Sequence, residues 1–203
     1  MSTAPPPRRS FVLPLIVAAW TLLVTAAIGW TWHYKTTPGL ASTPPAAWPA
    51  SAELRRSHMT LVVALHPLCT CSEATISELA RLVSALDERP TIYALFYDYQ
   101  PDVRPVSTTS LWRRAAAIPG LTPLRDRNGA MAKSFGAETS GDVIAYGSDG
   151  GLMFHGGVTA ARGHEGDSFG RQRLLAVLRG QTPDRRDSPV FGCNLDELTK
   201  AAL

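Results

Sequence analysis

The chain has 203 residues, of which 45% are hydrophobic and 18% are charged, and its formal net charge is +3. Its arginine pairs, Arg113-Arg114 and Arg185-Arg186, are isolated, whereas nucleic-acid binders show a basic stripe with interleaved aromatic residues. This distribution excludes a nucleic-acid partner from the expected functions. The hydrophobic content excludes global disorder, and the presence of a single long uncharged run excludes a multispan membrane protein.

The first predicted element is a membrane-spanning helix over residues 11–32. These residues carry no charge, and only five of them fall outside the apolar set. As a helix they would extend about 33 Å, close to the hydrocarbon thickness of a membrane. Because Arg8 and Arg9 precede the segment, the positive-inside rule predicts a cytoplasmic N-terminus at residues 1–10. We therefore expect a single-pass protein of the inner membrane with its C-terminal domain in the periplasm.

A cleaved export signal is the alternative interpretation of the same segment. Residues 8–12 resemble a twin-arginine motif, and residues 40–42 lie among small residues. The apolar run is longer than the core of most cleaved signals and ends with Trp30 and Trp32, as interfacial aromatics do, which favours an anchor. Both interpretations predict an exported domain.

Three regions follow the apolar segment. Residues 33–57 are rich in proline and alanine and predict a semi-extended linker, in which Trp48 is either a buried anchor or an exposed residue. Residues 58–180 have the composition and patterning of one folded domain. Residues 181–203 are predicted to form a C-terminal tail, which contains Cys193.

Short apolar runs alternate with helical patterns within the predicted domain. Four strands are expected, at Thr60–Leu65, Thr91–Tyr97, Asp142–Tyr146 and Leu152–His155, the last two forming a hairpin. A long helix capped by Ser72 follows the first strand and closes at Arg89-Pro90. A second helix covers 107–117, a short one ends near Gly136, and a last one, Phe169–Leu178, is capped by Asp167-Ser168. This alternation predicts a sheet covered by helices.

This layout resembles the thioredoxin fold, and more closely the membrane-anchored, exported thioredoxin-like proteins of the TlpA/ResA and peroxiredoxin-related group. The resemblance covers about residues 58–180 and rests on the cysteine pair after the first strand and on segments 126–136, 142–150 and 154–157. It implies an α/β fold of three layers, a central mixed sheet flanked by helices. It also implies a thiol-disulfide oxidoreductase that acts on exported protein thiols or disulfides without a cofactor.

Cys69 and Cys71 are the predicted catalytic residues. They lie between a buried strand and a helix, where unpaired N–H groups and the helix dipole stabilise a thiolate. The resemblance aligns Cys69 with the attacking cysteine of that group, and Cys71 would then be the resolving cysteine. If Ser72 takes the usual place of the second cysteine, Cys69 acts alone and Cys71 is auxiliary. The short C-x-C spacing favours an oxidising or isomerase-like potential, and two buried, inert cysteines are the alternative.

Four further residues are candidate auxiliaries of this site. His66 would tune the thiolate or be structural, and Gly141 stands where the resemblance implies a cis-proline. Cys193 would be a third redox partner or a free thiol on the tail. His164 lies in the glycine-rich loop 156–167, together with Arg162, and would contact a partner, a ligand or the cysteines, or lie in solvent.

Two other functions remain open on the same residues. The first is a copper-binding metallochaperone that resembles the Sco type, with Cys69, Cys71 and His164 as ligands, because soft thiolates suit Cu(I). The second is a non-catalytic thioredoxin-like binding domain, which Gly141 favours. A peroxidase is excluded, since the peroxiredoxin pattern requires a Thr or Ser at a fixed distance before the reactive cysteine, and His66 and Leu68 stand three residues before Cys69 and Cys71.

Overall fold

The computed structural model describes residues 12–50, 52–98 and 105–196, and the chain divides into two compact units, Met1–Lys35 and Thr36–Leu203. The described part of the first unit, residues 12–35, lies in helix α1, Val12–Thr36. Its 25 residues and mean hydropathy of 2.2 suffice to cross a membrane, and none of its side chains is buried. The helix continues past Trp32, where the apolar segment was predicted to end. Residues 1–10, the predicted cytoplasmic segment, lie outside the described residues.

The second unit is built on a six-stranded mixed sheet with the order β3-β2-β1-β4-β5-β6. Strands β1, β2 and β3 are parallel, β4 is antiparallel to β1 and to β5, and β6 is parallel to β5. The strands are β1 Met59–Leu65, β2 Thr91–Asp98, β3 Leu121–Arg127, β4 Asp142–Gly147, β5 Leu152–Gly157 and β6 Asp187–Ser188. The helices are α2 Thr70–Ser84, α3 Ser110–Ala116, α4 Ala130–Ser134 and α5 Phe169–Leu178, and a 3-10 turn, Val106–Thr108, precedes α3.

All four predicted strands and the four predicted helices of this unit are confirmed, with small shifts at their ends. Helix α2 starts at Thr70, so its N-cap is Cys69, and the prediction that Ser72 caps this helix is wrong. Strand β3 was missed because Pro123 and three charged residues interrupt its apolar pattern. Such a sequence is tolerated here because β3 lies at the edge of the sheet.

Alternate residues of β1, β2 and β4 enter two separate hydrophobic clusters, one on each face of the sheet. On β1, Leu61, Val63 and Leu65 pack under α2, α3 and α5. Val62 and Ala64 point to the opposite face, where the described residues place a single helix, the five-residue α4. That second face needs further cover from elsewhere in the chain.

The segment predicted as a linker supplies part of this cover. Trp48 packs edge-on against Phe135 and Tyr146, with ring centroids 5.0 and 5.3 Å apart. Its backbone N–H donates to the carbonyl of Gly150, and that of Thr43 donates to the carbonyl of Gly136. Residues 39–50 are therefore part of the folded unit rather than a free tether, and Trp48 is an anchor.

Candidate functional site

The site begins where β1 ends and α2 starts. Cys69 has an extended backbone, with φ −104° and ψ 123°, and its carbonyl accepts the N–H groups of Ser72 and Glu73. Its own N–H donates to the carbonyl of His66. Its side chain thus lies at the N-terminus of a 15-residue helix, where the unpaired N–H groups and the helix dipole favour a negative charge.

The structure brings all three cysteines together as thiols. Cys69 and Cys71 are buried, with 5% and 3% of their surface exposed, and Cys193 is half-buried. The Sγ atoms of Cys69 and Cys193 lie 3.8 Å apart although 124 positions separate the two residues in the chain. The Cys71 thiol is near enough to influence the ionisation of Cys69 and Cys193.

The three thiols differ in their ionisation. Hydrogen bonds from the Cys193 and Cys71 thiols, with the backbone N–H groups of Cys71 and Ser72, lower the pKa of Cys69 against the opposing effect of burial. The pKa of Cys71 is raised by its hydrogen bonds with Cys193 and Cys69 and by burial. The hydrogen bond to Cys69 also raises the pKa of Cys193. These directions favour Cys69 as the position of a thiolate in the cluster, with the Cys71 and Cys193 thiols as its neighbours.

His66 is the first residue after β1, its carbonyl accepts the N–H of Cys69, and it is 1% exposed. Its Nδ1 accepts the N–H of Leu68, at 3.2 Å, and its ring stacks on Tyr97 at a centroid distance of 5.9 Å. Burial lowers the pKa of His66, although the charge of Cys69 opposes this. A neutral His66 shapes the loop that carries Cys69.

Ser72 joins the cysteine loop to the segment that precedes β4. Its hydroxyl lies 2.7 Å from that of Ser140, and both hydroxyls accept the backbone N–H of His66, at 3.0 and 3.2 Å. The next residue, Gly141, has φ +93°, and a Cβ built there would lie 2.8 Å from Oγ1 of Thr75. Gly141 therefore occupies a backbone conformation that favours glycine. The described residues contain no cis peptide bond, at this position or elsewhere.

The C-terminal tail forms the remaining wall of the site. Its residues pair in antiparallel fashion with residues 138–140: the N–H of Ser140 donates to the carbonyl of Cys193 at 2.9 Å, and that of Leu195 to Glu138 at 3.0 Å. Leu195 is buried in the second cluster. A Cβ on Gly192 would overlap the carbonyl oxygen of Ser140, so only glycine allows this approach.

The loop 156–167 contributes one residue to the cluster. Arg162 Nη1 donates to the carbonyl of Gly192 and lies 3.7 Å from the Sγ of Cys193. His164 is exposed, and its backbone N–H donates to the carbonyl of Ala161. Among the described residues, no group of three or more His, Cys, Asp or Glu side chains is arranged to hold a metal ion.

No protein-family model matches this chain, and no curated protein matches it in sequence. Several solved structures are similar to it in fold. An uncharacterized conserved protein from Geobacillus kaustophilus, 16% identical, covers 79% of this chain and 92% of its own, with a TM-score of 0.57. A hypothetical protein from Sinorhizobium meliloti 1021 is 22% identical over 78% of this chain and 93% of its own, with a TM-score of 0.52. A thiol-disulfide isomerase from Corynebacterium glutamicum is 15% identical over 72% and 98%, with a TM-score of 0.46.

The domain has the thioredoxin fold. The mixed sheet, the layers on both of its faces and the junction of β1 with α2 agree with the architecture that the sequence predicted. At sequence identities this low, structural similarity supports the fold alone. The chemistry must be argued from the thiol cluster itself.

Sequence reasoning missed Thr139 and Ser140, which hold the tail, because isolated polar residues before a strand carry no pattern. The apolar pair Val190-Phe191 is the feature of the sequence that indicates a docked tail. Val190 is indeed buried, and its carbonyl accepts the N–H of Gly39.

Proposed function

We propose that this protein is a membrane-tethered, exported thiol-disulfide oxidoreductase, in which the Cys69 thiolate exchanges with disulfides or thiols of other exported proteins. The observation that carries the proposal is the thiol cluster at the N-terminus of α2. A thiolate is the species that attacks a disulfide, and Cys69 combines a lowered pKa with two further sulfur atoms that could displace a bound substrate.

The tether and the compartment belong to the same proposal. Helix α1 is long and apolar enough to cross a membrane, and Arg8 and Arg9 precede it. The positive-inside rule then orients the domain away from the cytoplasm, in the periplasm. An oxidising compartment is where a protein thiol pair cycles between dithiol and disulfide, so the location and the chemistry support each other.

A redox titration of the full chain in detergent tests the proposal. The protein is equilibrated with graded mixtures of reduced and oxidised glutathione, quenched with acid, alkylated and weighed by mass spectrometry. We expect one reversible two-electron transition at a potential above that of structural disulfides, roughly −300 mV. In the Cys69→Ser variant this transition should disappear, and in Thr70→Ser, a change at an exposed neighbour, it should stay in place.

A wild-type protein whose thiols remain reduced across the whole glutathione series would contradict the proposal. Tight binding of one Cu(I) by the same reduced sample, lost in His164→Ala, would favour the metallochaperone instead.

A further inference from the structure

The C-terminal tail places a third cysteine against Cys69, and we propose that Cys193 is the resolving cysteine that releases substrate from it. The inference rests on the proposed function and deepens it. The catalytic disulfide would then join Cys69 to Cys193 rather than to Cys71, and the chain would carry its own resolving thiol on the C-terminal tail segment.

The geometry of disulfide closure favours Cys193 over Cys71. Cys69 and Cys193 are 3.8 Å apart, and closing a bond of about 2.05 Å needs only a small shift of a half-buried side chain. Cys71 is fixed in the first turn of α2, where its carbonyl accepts the Thr75 hydroxyl at 2.9 Å. A bond from Cys69 to Cys71 would close across a single residue and would strain that turn.

The backbone around Cys193 is built to hold its side chain there. Residues on both sides are tied to the segment before β4, through the Ser140 to Cys193 and Leu195 to Glu138 hydrogen bonds. Gly192 allows the close approach to Ser140, and Arg162 bridges the Gly192 carbonyl and the Cys193 sulfur. A tail that served only as cover would not need a cation at its thiol.

The docked tail also limits access to the nucleophile. Cys69 is 5% exposed, with Cys193 in contact with it. On this proposal, a protein disulfide reaches Cys69 when the tail segment around Cys193 moves away from residues 138–140. Resolution occurs when the segment returns, so the tail and the substrate compete for the space beside Cys69.

The electron balance is that of ordinary thiol-disulfide exchange. The Cys69 thiolate attacks a disulfide of an exported protein, the Cys69–substrate bond forms, and one substrate thiolate leaves. The Cys193 sulfur then attacks Cys69 Sγ, the Cys69–Cys193 bond forms, and the second substrate sulfur leaves with the proton that Cys193 gives up. Two electrons reduce the substrate disulfide, and the same steps in reverse oxidise a substrate dithiol.

The order of the two attacks follows from the charges in the cluster. While Cys69 is a thiolate, it keeps Cys193 protonated, since that contact raises the pKa of Cys193. Once Cys69 is in a mixed disulfide, its charge is gone. The guanidinium of Arg162 then lies next to Cys193 and favours the second thiolate.

Peptide mapping distinguishes the two candidate disulfides. Trypsin leaves Cys69 and Cys71 together in peptide 57–81 and Cys193 in peptide 187–200. The reduced full chain in detergent is treated with oxidised glutathione, quenched with acid, alkylated and digested. We expect wild type to give mainly the cross-linked pair 57–81 with 187–200, and Cys71→Ser to give the same pair. Cys193→Ser should hold glutathione on Cys69 and resolve it at least 10-fold more slowly.

The proposal is overturned if wild type closes its disulfide within peptide 57–81 and Cys193→Ser releases glutathione as fast as wild type. If no variant takes up glutathione at Cys69, the proposed function itself fails. These two failures are therefore told apart in one experiment.

Arg162 provides a second test that does not alter a cysteine. It is a positioning residue, so Arg162→Gln should slow the resolving step and move its pH dependence to higher pH, and Arg162→Lys should restore part of both. Arg179→Gln, an exposed change on the same unit, is the matched control. An unchanged pH profile in Arg162→Gln would contradict the role of the guanidinium.

Discussion

Replacing Cys69 with serine is expected to abolish disulfide exchange, with a loss of at least about 100-fold in the rate at which the full chain reduces insulin disulfides with glutathione as the reductant. The reason is chemical: the thiolate is the nucleophile toward a disulfide, and a serine hydroxyl stays protonated and unreactive at neutral pH. Serine has nearly the same volume and conserves the backbone of the N-cap, so the fold should be kept.

Thr70→Ser is the control for this loss, because Thr70 is the exposed residue next to Cys69 in the first turn of α2. It should retain the wild-type rate. A Cys69→Ser protein that keeps more than about a tenth of the wild-type rate would show that another group attacks the substrate, and the role assigned to Cys69 would be wrong.

Asp142→Asn is expected to stabilise the protein at pH 8. Asp142 is the first residue of β4 and is completely buried, and desolvation raises its pKa to about 7 in spite of polar contacts with Ser42, Gly156 and Val143. The unfolded-state pKa is about 3.9, so the unfolded chain releases this proton at lower pH than the folded chain does. The free energy of unfolding therefore falls as pH rises from about 4 to about 7, by an amount of order 4 kcal/mol, and levels off above that.

Urea denaturation of the full chain in detergent at several pH values measures this effect. Wild type and Asp142→Asn should be similar in stability near pH 4, and the asparagine variant should be more stable at pH 8 by about 2–4 kcal/mol. Asp87→Asn, at an exposed position, should leave the wild-type pH dependence unchanged. If the free energy of unfolding changed equally with pH in wild type and Asp142→Asn, the Asp142 carboxyl would not be the source of the pH dependence.

Much of the sheet and the nucleophile could be predicted from the sequence because both depend on local patterns. The apolar run before Cys69 and the helical spacing after it define a strand-to-helix junction, and the structure has that junction at Leu65 and Thr70. The pattern fails at β3, where Pro123 and charged residues at a sheet edge do not resemble a strand. Local pattern also cannot show that Ser72 lies inside α2 instead of capping it.

The rest of the site depends on contacts between distant parts of the chain. The apolar residues before Cys193 indicate only that the tail docks, and they do not show that its sulfur meets that of Cys69. The approach requires Gly192, the extended segment before β4 and the apolar anchors of the tail, Val190 and Leu195, to act together. The same reasoning applies to Trp48. The proline-rich segment around it predicts a tether, whereas in the structure Trp48 packs against the second face of the sheet, which is otherwise poorly covered.

The most direct test of the reactive thiolate is the rate at which Cys69 of the wild-type chain reacts with oxidised glutathione at pH 6 and at pH 8, followed by mass spectrometry of peptide 57–81. Because the pKa of Cys69 is lowered, its thiolate should persist at both pH values, and we expect the two rates to agree within about threefold. An ordinary thiol with a pKa near 8.5 would react roughly 75-fold faster at pH 8 than at pH 6. That ratio, or a Cys69 that stays reduced at both pH values, would contradict its assignment as the nucleophile of a thiol-disulfide oxidoreductase.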